Sequence, residues 1–109
     1  MLQDNPASED CRVMEFKQPI IKHILADHVI KVLQVKSETG CEAHCFEDND
    51  CMSVNLGPLE DRTHLCELSS SDHNLHPGDL KLQENFMYKP VWVSISVSLA
   101  SLIRHCKFG

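Results

Sequence analysis

Six cysteines and seven histidines in 109 residues are the side chains here that could bridge, bind metal or attack an electrophile. An even cysteine count in a short chain favours disulfides where the compartment is oxidising. Four of them, Cys41, Cys45, Cys51 and Cys66, fall close together. A zinc site is the rival chemistry: Cys41-x-x-x-Cys45 fits the ligand spacing loosely, with His44 between. His73-x-x-His76 falls just short of the usual histidine spacing, and solvent-facing histidines account for it as well. A thiol nucleophile would need Cys45 or Cys66 beside His44 or His64, and sequence neighbours seldom form such pairs. No nucleophile-elbow, phosphate-loop or dinucleotide motif occurs, so no catalytic residue and no cofactor are expected. Glu47, Asp48 and Asp50 lack the spacing and glycine of a calcium loop and read as a solvated turn.

The elements that would position the cysteines emerge from local pattern. Cys11–Phe16 alternates well enough for a first strand, and Pro19 interrupts the chain beyond it. Val29–Val35 is rich in β-branched residues on both faces and predicts a buried strand. Ser37 can cap a helix running through Phe46, with Glu38 favourably placed in its first turn. On that helix Cys41 and Cys45 are four apart and share a face. Cys51–Leu56 predicts a strand, Gly57-Pro58 a turn, and Thr63–Leu68 the antiparallel partner. Ser69–Asp79 reads as loop, and Asn85–Lys89 as a short last strand closed by Pro90. A Cys45–Cys51 bridge would tie the helix end to the next strand, and Cys41 could then reach Cys66. Connectivity is not readable from spacing alone.

The length suits one domain, and 42% hydrophobic with 24% charged residues excludes disorder over the whole chain. A net charge of −6 with scattered basic residues excludes a nucleic-acid partner. Residues 1–10 read as a flexible lead-in; they are polar and carry no secretory signal. The cysteine pattern nevertheless points to an extracellular domain, either part of a longer secreted protein or one lacking its first exon. The tail 91–109 opens with the uncharged, serine-rich run Val91–Ile103, shorter than the roughly 20 residues needed to span a bilayer. It is expected as an edge strand, a truncated membrane anchor or an alternative exon. Membrane contact arises only if it belongs to an anchor. Trp92 within it suits either a membrane interface or a partly buried strand position.

The set Ser37, Cys41, Cys45 and Cys51-Met-Ser-Val-Asn-Leu56, followed by His64-Leu-Cys66-Glu-Leu68, resembles the PAN/apple domain family. Members of that family place two cysteines on a helix, a third opening a C-x-S-x-N strand and a fourth in a C-x-L strand. Asn85-Phe-Met-Tyr88 is similar to the family's aromatic final strand, and the resemblance covers residues 11–90. It implies an α+β fold: a small disulfide-stapled domain in which a curved antiparallel sheet cradles one short α-helix. It also implies the pairs Cys41–Cys66 and Cys45–Cys51. Apple-type members join their first and last cysteines, by position Cys11 and Cys106. Here the pattern departs, because Cys106 lies well beyond Pro90 across the tail. The function implied is non-catalytic: a secreted recognition module binding a protein or a carbohydrate, within an adhesion or matrix-type protein. The alternative is a small intracellular zinc- or thiol-containing protein. By elimination, the loops Glu47–Asp50 and Ser69–Asp79 are the accessible surfaces.

Overall fold

The structure is a computed structural model that describes the backbone of residues 11–96 and the side chains of residues 14–92. The chain divides into two compact units, one of residues 16–91 and one of residues 1–15 with 92–109; the first holds the helix and the sheet core. The element order is β1 (Cys11–Phe16), β2 (Ile20–Leu25), β3 (Val29–Val35), α1 (Glu38–Glu47), β4 (Ser53–Glu60), β5 (Thr63–Ser69), a 3-10 turn (Pro77–Asp79) and β6 (Leu80–Ser96). The strands form one curled sheet in the order β1-β6-β4-β5-β3, and β2 pairs antiparallel with β6.

Helix α1 starts where the sequence places its cap. Ser37 Oγ accepts a hydrogen bond from the Gly40 N–H at 3.0 Å, satisfying one of the orphan donors of the first turn. Only Cys41 and Cys45 are buried on this helix. The helix therefore carries almost no apolar stripe, and covalent attachment does what packing usually does. It lies on the sheet face that carries Val35, Val54, Leu56, Cys66 and Leu68, all buried.

The opposite face carries Asn55 and Tyr88, which pair across β4 and β6, and Glu67, which pairs with Asn55 across β5. Two interruptions bend the sheet on this side. Gly57 and Pro58 of β4 together oppose Leu65, where the register shifts between Leu56 and Leu59. In β6, the residues 83–86 oppose Lys22 alone, because Ile21 pairs with Met87 and His23 with Leu82. Extra residues on one strand kink it and increase its twist. Asn85 takes a left-handed φ of 69° at the second bulge, and Lys22 opposite it a φ of 64°.

Several expectations are corrected. Strand β2 has no counterpart among the elements expected from the sequence. Strand β3 forms where predicted but is exposed over most of its length, with Val29, Ile30 and Val32 at 38%, 45% and 55% exposure. It is an edge strand of the sheet, and its apolar residues on both faces do not mark a central position. Gly57-Pro58 is not a turn: β4 runs through it to Glu60, and the reversal comes at Asp61 and Arg62, both with positive φ. Two successive positive φ values suit the twist of a tight hairpin. Pro58 is tolerated because a bulge position needs no ladder donor.

Strand β6 likewise continues past Pro90 and is far longer than the five residues expected. The Pro90 carbonyl accepts from the Lys17 N–H at 2.9 Å, whereas Val91 N–H donates to Met52 O at 3.1 Å. Since the N–H and C=O of a strand residue point the same way, the proline nitrogen faces Lys17, and the ladder to β4 loses no bond. The tail is thus strand as far as Ser96. Residues 97–109, and with them Cys106, lie outside the described residues, as does the lead-in 1–10. Trp92 is half-exposed.

Candidate ligand-binding cleft and its disulfide frame

Two disulfides fix the helix to the sheet: Cys41 to Cys66 at the middle of β5, and Cys45 to Cys51 just before β4. All four residues are buried. These are the pairings the resemblance implies. The thiols considered as nucleophile or zinc ligand are therefore spent in bridges. The histidines beside them do other work: His64 Nδ1 lies 2.8 Å from the Gly57 carbonyl, and His44 is exposed on the helix. The Cys11 and Cys106 side chains lie outside the described residues.

A second attachment is polar. Asn55 is fully buried, and its carboxamide closes a two-way clip on the end of β2: Oδ1 accepts from Leu25 N–H at 2.9 Å and Nδ2 donates to Leu25 O at 3.1 Å. Nδ2 also donates to Glu67 Oε1 at 3.0 Å. One side chain so replaces two ladder bonds that β2 cannot make to β4. On the helix side, the buried Lys89 ammonium is clamped by the carboxylates of Glu38 and Glu42 and lies 5.4 Å from the Phe16 ring centroid. Burial alone would lower its pKa, but the hydrogen bonds and charges of Glu38 and Glu42 more than offset it and hold the pKa above the ordinary lysine value.

The loop 69–79, expected as an accessible recognition surface, is tied down along much of its length. Ser71 and Asp72 are buried, Ser53 Oγ donates to Ser71 O at 2.7 Å, and Asp72 Oδ1 accepts from the Asn74 and Leu75 N–H groups. His73 N–H donates to the Tyr88 hydroxyl at 2.8 Å, and His73 Nδ1 lies 3.0 Å from it. Burial raises the Tyr88 pKa above its ordinary value despite these bonds. His76 stacks on His28 with ring centroids 4.1 Å apart and shares a hydrogen bond with Ser71 Oγ, while His28 Nε2 donates to Asp79 at 2.8 Å. A serine, two imidazoles and a carboxylate thus come together, but the carboxylate orients His28, not the imidazole on the serine. Ser71 Oγ stands within hydrogen-bond reach of the His76 ring, but Ser71 is buried and the Asp79 carboxylate bonds His28 instead of His76, so the exposed nucleophile and oriented base of a triad are not assembled. His73 and His76 diverge, and no metal-binding group of three or more His, Cys, Asp or Glu exists among the described residues. In the loop Glu47–Asp50, Asp48 Oδ1 accepts from the Asp50 N–H and closes a local turn.

A concavity forms elsewhere, where the two bulges meet. A cleft of about 540 Å³ opens on the sheet face away from the helix. Its apolar floor is Phe86 and Leu65, with Pro58 beside them; the bulge in β6 contributes Gln83, Glu84 and Asn85, the hairpin Glu60, Asp61 and Thr63, and β3 Gln34. Gly57 makes the floor possible: a Cβ there would stand 3.2 Å from Leu65 Cβ and from the Phe86 ring. Sequence reasoning missed this site. The signals were the Gly-Pro pair inside a strand and the polar run Gln83-Glu84-Asn85 breaking an alternating one, both marks of a bulge.

Among the described residues no helix is long and apolar enough to cross a membrane. Comparison with curated proteins and with solved structures gave no significant match. The PAN domain family matches residues 11–90, the stretch that carries both disulfides, the Asn55 clip and the cleft. The chain belongs to the PAN domain family, whose disulfide-bonded members are typically non-catalytic modules that bind proteins or carbohydrates.

Proposed function

We propose that this chain acts outside the cell as a recognition module of an adhesion or matrix-type protein, binding a protein or carbohydrate ligand without chemical conversion. The observation that carries this reading is the pair of buried disulfides. A helix with almost no apolar face stays on its sheet through covalent bonds, a solution suited to an oxidising compartment and unsuited to a reducing one. The intracellular zinc or thiol alternative would need free thiolates at the same four cysteines.

The test is binding by the oxidised chain, immobilised and exposed to extracellular-matrix proteins and cell-surface glycoproteins. Saturable binding that disappears after reduction with dithiothreitol supports the reading. No saturable binding, or binding unchanged by reduction, contradicts it.

A further inference from the structure

We draw no further inference here: the strongest candidate, the exposed apolar edge of strand β3 at Val29, Ile30 and Val32, carries nothing because nothing in the structure shows what covers it.

Discussion

Removing the two disulfides one at a time should separate their contributions by an amount set by chain topology. Cys41 and Cys66 are 25 residues apart, and Cys45 and Cys51 only 6. Loop-closure entropy then assigns about 3.5 kcal/mol to the outer bridge and about 2.2 kcal/mol to the inner one. All four cysteines are fully buried, so the cavity left by Cys→Ala is similar for each pair and cancels in the comparison. A domain of this size has about 5–10 kcal/mol in total. The double variant Cys41→Ala with Cys66→Ala should therefore fold but melt about 14–28 °C lower, and Cys45→Ala with Cys51→Ala about 9–18 °C lower. Urea unfolding without reductant gives the free energies directly. An inner-bridge variant as destabilised as the outer one would refute the entropic reasoning and show that the tie between helix end and β4 supplies specific native contacts.

The polar attachments and the bulges have consequences of their own. Asn55→Ala orphans the buried N–H and C=O of Leu25 and should cost about 2–4 kcal/mol in urea unfolding, with hydrogen exchange accelerated in β2 before the rest of the sheet. Gly57→Ala forces a Cβ against Leu65 and Phe86 and should cost about 1–2 kcal/mol, moving the Phe86 ring resonances more than those of the helix. Lys89 and Tyr88 both have folded pKa values above their ordinary ones, so their stabilising contributions are complete below the ordinary values and fall away as pH rises through the folded ones. Stability should stay level from neutral pH to about 10 and then drop, and Tyr88→Phe or Lys89→Met should each shallow that drop in melting curves taken between about pH 8 and 12.

The parts of the fold that could be read in the sequence are those fixed by neighbouring residues. Ser37 as a cap and the four-residue spacing of Cys41 and Cys45 are local signals, and the helix begins and turns its sulfurs where they indicate. The strand motif Cys51-Met-Ser-Val-Asn55 was legible as a strand, but the role of Asn55 was not, since its partner Leu25 lies thirty residues away on the unrecognised strand β2. β2 comes after Pro19 without a turn signal and pairs with a strand about sixty residues later. The exposure of β3 depends on its place at the sheet edge, which its β-branched residues do not encode. Gly57-Pro58 and Pro90 read as breaks because proline removes a donor. At these positions the geometry requires none, at Pro58 because of a bulge and at Pro90 because its nitrogen faces away from β4. The cleft was illegible for the same reason: two register shifts, in strands far apart in sequence, bring its walls together.

The fold and the proposed function both depend on the oxidised state of four cysteines, and peptide mapping of the purified chain under non-reducing conditions tests that state most directly. Proteolysis followed by mass spectrometry should recover peptides joined through Cys41–Cys66 and through Cys45–Cys51, with no metal in the native mass. Free thiols at these positions with one bound zinc per chain would contradict the disulfide frame, and with it the extracellular module built upon it.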